Sequence, residues 1–556
     1  MIFEALVPLQ YWILRILLLL LLVGAVLARD AAKTWIRGVS PRTWWMLGAI
    51  VAGGAAARAF GSAWSVYYEN AHAFHELERV GPGKLGFSAY GLGVPVLWQS
   101  LFLALPGSFQ TVFAFHFVLS SLCPLLVFVF ARGLYGSDRA ALLCAALLAF
   151  HPVNVLLAAT DSQFIPQLFF LSLGLAALEL SVAGKGSDRA LALAFVSLVY
   201  AAQCRPAGIF YALPAGAFLL LRGGGLRALW RRPGFRLGLG IVAVSMPIHA
   251  WGILRLSVEG GQQVAFRDAR ILYGLFSSHS NPLLDGDVTP WFLLPLAVIS
   301  VISLARIDRR ALWVVVPPVI ILAWFNAGFA HWPVARLRYN LEPLFFCALL
   351  AGGAALSPWL ARLSARGREV VFGLLLLLPA SGLVSNRQVL SLRYDAQLEW
   401  TFLRNTIPTL PTSGTLVFRD RRARGGTIET SLPWIWFTTL GKRYEFVESS
   451  DWVDHPLRRV DGAAIWYRGI SCWHWDPREV PPVGAGAPQR FADPRMRPQC
   501  RELEDRYALE PIAETTFTSR SDGKSTSALP RITLGFYRIG ARLPGAAPVA
   551  RQASTD

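Results

Sequence analysis

The chain has 556 residues, of which 54% are hydrophobic and only 16% charged, with a formal net charge of +18. A mean hydropathy of +0.43 and apolar runs that suit a hydrocarbon slab of about 30 Å exclude an ordinary soluble enzyme. The basic excess falls mostly in short loops between apolar spans, so it reports orientation in a membrane and argues against a nucleic-acid partner.

In chain order, the first apolar span covers Pro8 to Ala28 and is followed by Arg29, Lys33, Arg37 and Arg42. Basic residues beside a span stay in the cytoplasm, which places the N-terminus outside; a cleaved signal peptide would carry its charge before the apolar run. Further spans are predicted at Trp44 to Phe60, Phe109 to Ala131, Ala140 to Ala159, Phe164 to Val182, Ala190 to Gln203 and Pro206 to Leu221. Five more follow at Leu237 to Leu254, Trp291 to Ala305, Leu312 to Phe329, Leu341 to Leu356 and Val370 to Val384. If each crosses, the basic groups at Arg132 and Arg139, Lys185 and Arg189, Arg222 to Arg236, Arg306 to Arg310, and Arg362 to Arg368 all fall on one side. The expectation is a polytopic α-helical membrane protein of about twelve crossings, with both termini outside.

On that topology the outside loops carry the polar residues of interest. The first, 61–108, holds the island WSVYYENAHAFHELER with Glu69, Asn70, His72, His75, Glu76, Glu78 and Arg79. Charges placed against membrane spans are costly to desolvate, so an unusually polar loop is a place to look for chemistry. Other outside segments are a turn at Thr160 to Ser162, another at Arg205, then Arg255 to Pro290 and Ala330 to Asn340. The membrane part is expected to cover residues 1–386. From 387 to 556 the composition turns polar, with Gly, Pro and charges alternating, and a small extracytoplasmic α/β domain is predicted with a disordered tail after about 543. Tyr394 to Arg404 reads as a helix, and Gly414 to Phe418, Ala463 to Tyr467 and Ile532 to Ile539 read as strands. Cys123, Cys144, Cys204 and Cys347 lie in apolar spans as small packers, whereas Cys472 and Cys500 are candidates for a disulfide in an oxidising compartment.

Several stretches together resemble a known superfamily. They are VYYEN in the first outside loop, YGLGVPVLW leading into a helical hairpin, HPVNVLLAATDSQF, CRPAG, and ARLRYNLEPLFF before a closing span. In order and topology these resemble the GT-C superfamily of integral membrane glycosyltransferases. The nearest likeness is to its bacterial branch, related to protein O-mannosyltransferases and lipid A aminoarabinose transferases (families 39 and 83). The resemblance covers Trp44 to Val384. It implies transfer of a hexose or pentose from a polyprenyl-phosphate-linked donor to an acceptor on the periplasmic face of a bacterial inner membrane, within the cell envelope. It also implies that Glu69 takes the family's catalytic position, as the base that deprotonates the acceptor hydroxyl, and that Asp161 takes the family's second acidic position. Most relatives have Asp where this chain has Glu69.

The residues support related chemistry on their own terms. Glycosyl transfer to a hydroxyl needs a carboxylate base and cations to stabilise the departing phosphate. Cations on the outside are scarce by the positive-inside rule, so Arg58, Arg205, Arg336 and Arg338 stand out, and arginine's planar fork suits phosphate. Tyr339 adds a hydroxyl donor, and Asn70 and His72 are candidate partners in the site. Bland uses stay open: Glu69 as a solvated loop residue, Asp161 as a cap for the helix that follows, Arg336 and Arg338 snorkelling to headgroups, and Asp285 and Asp287 as turn residues. No motif demands a cofactor; His72 and His75, three apart without a third ligand, give a divalent cation only weak support. There is no Walker loop, no GxGxxG opening a helix and no GxSxG elbow. The partners expected are the lipid-linked donor, membrane lipids and an acceptor that is a protein, lipid A or a glycan. The competing classes are a lipid or solute transporter or flippase, and an inactive GT-C relative that serves in envelope assembly.

Overall fold

The computed structural model describes residues 2–66, 91–182, 187–259, 282–284, 286, 288–329, 341–391, 395–422, 428–430, 442–454, 463–474, 495–496, 498–518 and 531–543. The chain divides into two compact units that meet in sequence between Leu392 and Arg393.

The first unit is helical: α1 Ile2–Leu27, α2 Arg29–Arg37, α3 Pro41–Gly61, α4 Gly93–Leu101, α5 Phe109–Tyr135, α6 Asp138–Ala149, α7 Pro152–Leu157, α8 Phe164–Val182 and α9 Ser187–Cys204. A 3₁₀ segment, Pro206–Tyr211, leads into α10 Ala212–Arg222, α11 Leu226–Arg231, α12 Pro233–Glu259, α13 Leu293–Ile307, α14 Arg309–Phe329, α15 Leu341–Gly352, α16 Pro358–Ala361, α17 Ala365–Ser385 and α18 Arg387–Ser391. Local sequence sets the ends. Ser40, Ser108 and Ser137 each accept a backbone N–H two or three residues on and cap α3, α5 and α6, and Gly136 ends α5 in the left-handed region at φ 62°. The run expected to be one span from Ala140 to Ala159 is broken into α6 and α7, because Pro152 has no N–H to continue the ladder and instead opens a new helix at its first position.

Among the described residues, five helical stretches are long and apolar enough to cross a membrane: Leu9–Leu27, Phe109–Tyr135, Phe164–Val182, Leu341–Ala361 and Ala365–Ser385. The unit has two chemically distinct ends. At one, Glu369 accepts from both Arg42 and Arg139, Asp138 accepts from Arg132 at 2.6 Å and from the Thr43 hydroxyl at 2.9 Å, and Asp188 accepts from Arg232 at 2.9 Å. Arg132 also lies 4.9 Å from the Trp35 ring centroid. The turns α2–α3, α5–α6, α9–α12 and the start of α17 therefore share one basic end. At the other end, Ser62 at the close of α3 donates to Leu156 O at 3.0 Å and accepts from Ala159 N at 2.8 Å, and Ser65 bridges to Thr160.

The second unit is α/β. Its sheet runs in the order β4-β1-β5-β9-β8, with β1 Ser413–Phe418, β4 Arg443–Glu448, β5 Ala463–Arg468, β8 Tyr507–Thr518 and β9 Arg531–Arg542. Between these fall two short pairs, β2 Asp420–Arg422 with β3 Ile428–Thr430 and β6 Trp473–His474 with β7 Arg495–Met496. β1 is parallel to both β4 and β5, while β9 is antiparallel to both β5 and β8. Val417, Trp466, Leu503 and Tyr537 form the core with Cys472 and Cys500, which are bonded to each other with Cα atoms 5.7 Å apart. α19, Asp395–Thr406, is fixed to the sheet through Glu399: its Oε1 accepts from the Tyr467 hydroxyl at 2.6 Å and from Ile470 N at 3.0 Å.

Candidate functional site

The polar end of the helical unit, away from the paired arginines, is where the sequence-derived candidates converge. Asp161 sits in the turn between α7 and α8, only 5% exposed, among Thr160, Ser162 and Gln163, which are equally enclosed. The turn is stiff: the Thr160 hydroxyl donates to Leu157 O at 2.8 Å and accepts from Ser162 N at 3.2 Å. Such local bonds hold short polar residues in turns and not in helices.

Arg205 follows α9 in extended backbone and begins the turn into the 3₁₀ segment. Its side chain is 6% exposed, and its guanidinium carbon lies 3.8 Å from the ring centroid of Phe164, the first residue of α8. A cation stacked on an aromatic face keeps its edge N–H groups free of that face and at a defined tilt. Since Phe164 is three residues beyond Asp161, this stack brings the second acidic candidate and one of the predicted phosphate-binding cations to the same corner of the bundle. The YGLGVP stretch closes the corner from another side. Gly91, at φ 88°, and Gly93 pack so tightly on the end of α9 that a Cβ at either would collide with the Gln203 backbone, and Gly93 O accepts from Tyr200 at 2.7 Å. Behind it, Trp98 donates to Nε2 of the fully enclosed His116 at 3.0 Å, which places that histidine's own proton on Nδ1.

One group at this corner was not singled out in the sequence. Glu342, in the first turn of α15, is fully buried, and its Oε1 accepts both from Gln167 Nε2 of α8 at 2.7 Å and from the Tyr211 hydroxyl at 2.5 Å. Gln167 and Tyr211 are themselves at most 1% exposed. The available signal was the acidic residue inside the apolar run LEPLFFCALL, since an ionisable side chain at membrane depth marks a site by default.

Arg58 is corrected. The sequence places it on the outside as a phosphate-binding cation, but the side chain is wholly enclosed. Its Nε donates to Ser120 Oγ at 2.7 Å, Nη1 to Gly54 O and Ala149 O at 2.9 Å each, and Nη2 to Leu148 O at 3.4 Å. The fork meant for a phosphate is occupied by α3, α5 and α6, so Arg58 fastens helices. Glu69, Asn70, His72, Arg336, Arg338 and Tyr339 lie outside the described residues, as do His75, Asp285 and Asp287. Among the described residues no three His, Cys, Asp or Glu side chains converge in a way that could hold a metal ion.

An apolar groove of about 270 Å³ runs between α13, α14 and α15, lined among others by Leu283, Ala297, Val301, Val319, Cys347 and Leu350 with no polar surface. Cys347 lies on α15 five residues beyond Glu342, about 7.5 Å along the axis at 1.5 Å per residue.

Residues 94–251, which include Asp161, Arg205 and Tyr211, match the family model for dolichyl-phosphate-mannose-protein mannosyltransferase. The match falls within the stretch that resembles the GT-C superfamily. No curated protein matches the chain. Among solved structures, the chain is similar to ArnT from Cupriavidus metallidurans bound to undecaprenyl phosphate, at 12% identity over 89% of this chain and 98% of that one, with a TM-score of 0.49. It is similar to the oligosaccharyltransferase AglB from Archaeoglobus fulgidus in complex with an inhibitory peptide and a dolichol-phosphate, at 10% identity over 89% of this chain and 80% of that one, TM-score 0.41. Against the Saccharomyces cerevisiae protein O-mannosyltransferase Pmt1-Pmt2 complex bound to the sugar donor, identity is 15% over 39% of this chain, TM-score 0.32, and the match spans only 34% of that chain.

Proposed function

We propose that this chain is a membrane glycosyltransferase that moves a sugar from a polyprenyl-phosphate donor to an acceptor on the periplasmic face of a bacterial inner membrane. The observation that carries the reading is that the mannosyltransferase match lies over the stretch that delivers Asp161 and Arg205 to one corner of the bundle. The apolar groove beside α15 supports a long isoprenoid donor, because a cavity without polar lining suits a hydrocarbon chain.

In the reaction, Glu69 takes the proton of the acceptor hydroxyl as its oxygen attacks the anomeric carbon. The bond from that carbon to the phosphate oxygen breaks, and the phosphate leaves with the electron pair on the polyprenyl carrier. Negative charge grows on the leaving oxygen, and Arg205, Arg336, Arg338 and the Tyr339 hydroxyl stabilise it. Asp161 orients the acceptor, a cation or Glu69, and Asn70 and His72 bind the substrate. The membrane domain comprises residues 1–386, with about twelve crossings and both termini periplasmic. The domain from 387 onward selects the acceptor.

The test is transfer of radiolabelled sugar from a panel of polyprenyl-phosphate donors by purified protein in lipid, comparing wild type with Glu69→Gln. Transfer by wild type and none by Glu69→Gln is the expected result. Equal transfer by both would remove Glu69 as base, and no transfer from any donor would remove the enzyme class.

A further inference from the structure

The mechanism above leaves unused the carboxylate buried deepest at this corner. Glu342 belongs to no pair that the reaction requires, yet it is completely enclosed in a helix of apolar residues, where an ionised side chain costs several kcal/mol unless its surroundings compensate. The compensation comes from two different elements. One oxygen takes the Gln167 amide from the second turn of α8 and the Tyr211 hydroxyl from the end of the 3₁₀ segment. α8 begins with Phe164, on which Arg205 is stacked, and the 3₁₀ segment begins one residue after Arg205. Both elements that set the position of Arg205, its aromatic floor and its own backbone, are therefore tied to the same carboxylate, α8 one turn beyond Phe164 and the 3₁₀ segment at its last residue.

We propose that Glu342 is a positioning residue: by holding Tyr211 and Gln167 on one oxygen it locks the 3₁₀ segment against α8, so that Arg205 meets the donor's phosphate in a single orientation. This rests on the proposed function only in naming the anion that Arg205 meets. A hydrogen bond to a carboxylate is worth about one factor of ten, roughly 1.4 kcal/mol. Loosening the lock should therefore weaken phosphate binding by about tenfold while most of the bundle's packing survives.

The experiment is a double-mutant cycle read by binding, not turnover. Undecaprenyl phosphate is titrated onto the full chain in detergent, and binding is followed by thermal shift for wild type, Glu342→Gln, Arg205→Gln and the double variant. Glu342→Gln keeps an oxygen for both donors and the side chain's shape but removes the charge; Tyr211→Phe, which removes one donor and no volume, serves as the second probe. Expected are about tenfold weaker binding for Glu342→Gln and for Tyr211→Phe, and less than twofold further loss when either is added to Arg205→Gln. Equal losses with and without Arg205 would mean a merely structural role and overturn the proposal, as would wild-type binding by both probes. If wild type itself does not bind undecaprenyl phosphate while remaining folded, the lipid-phosphate reading fails first and the positioning role falls with it.

Discussion

Arg58 offers the sharpest test of the fold, because two readings of it predict opposite outcomes. Replacing it with lysine keeps a cation of similar length, so a phosphate-binding residue would lose modest affinity and no stability. In the structure the guanidinium serves four acceptors on three helices: Ser120 Oγ, Gly54 O, Ala149 O and Leu148 O. An ammonium on a flexible stem cannot span acceptors arranged around a planar fork; it keeps one or two of them and strands the rest without water. Leaving a buried polar group unpaired costs about 1–3 kcal/mol, and breaking a buried charged network about 3–5 kcal/mol, so Arg58→Lys should destabilise by about 3 kcal/mol. At about 2–4 °C per kcal/mol for mid-sized domains, that is a fall in apparent Tm of roughly 6–12 °C. Fluorescence-detected size-exclusion after heating in mild detergent measures it, with Ser120→Ala as a milder companion that orphans only the Nε donor. A variant as stable as wild type but poor at binding undecaprenyl phosphate would refute the fastening role.

Gly133→Ala should be among the most damaging small changes in α5. A Cβ there would fall inside the Glu179 carboxylate, which is only 7% exposed, and the same heating assay should show loss of the folded peak. In the α/β unit, burial and then the charge and hydrogen bond of Glu399 hold the Tyr467 hydroxyl well above the ordinary tyrosine range, and burial pushes Tyr444 up to about 12. Unfolded tyrosine titrates near about 10, so above that pH the unfolded chain has released protons that the folded one keeps; stability from these groups is full below about pH 10 and drains away as pH rises toward 12. Tyrosinate absorbance during an alkaline titration should rise cooperatively with unfolding and not ahead of it. Removing the Cys472–Cys500 link as a double serine variant should lower the stability of the α/β unit by about 3–4 kcal/mol, since the bridge closes a loop across a sequence separation of 28. Denaturant unfolding of the full chain, followed with and without reductant, reads that difference, and a reductant-insensitive wild type would contradict it.

Much of the helical layout was legible because membrane helices announce themselves by composition: described helices lie over each stretch read as a span, though Ala140 to Ala159 is split by its proline, Pro206 to Leu221 opens in a 3₁₀ segment, Leu341 to Leu356 closes in one, and five helical stretches among the described residues are long and apolar enough to cross a membrane. What composition cannot say is which helices meet. Glu342 and Gln167 are 175 residues apart, and Glu342 and Tyr211 are 131 apart. Each sits alone in an apolar run, and no local periodicity links them. Arg58 failed for a different reason. Its position one turn before the end of α3 reads as the membrane boundary, but side chains on a helix lean toward its N-terminus. The guanidinium therefore turns back to Gly54, one turn earlier, and into the bundle. Distance from a helix end says where a Cα lies and not where a long side chain delivers its charge. In the main sheet of the α/β unit, β1, β5 and β9 were readable from short apolar runs, but β8, β4 and the mixed order were not; β4 enters the edge by a parallel crossover and carries a weaker pattern, RYEFVE.

The cysteines fall into two chemically distinct sets. The four in the helical unit are buried free thiols. The two in the α/β unit are bonded to each other in its core beside Trp466 and Leu503. Disulfides persist in oxidising compartments and are rare in the cytosol, so the bond accords with the extracytoplasmic domain expected from the sequence. The helical unit gathers its paired arginines at one end, the pattern that short cytoplasmic turns carry. α17 starts at that basic end. It runs from Glu369, which binds Arg42 and Arg139, to Ser385, and then α18 packs against α7, on whose far side Asp161 follows. One helix of 21 residues, at about 1.5 Å per residue, is long enough for a slab of about 30 Å.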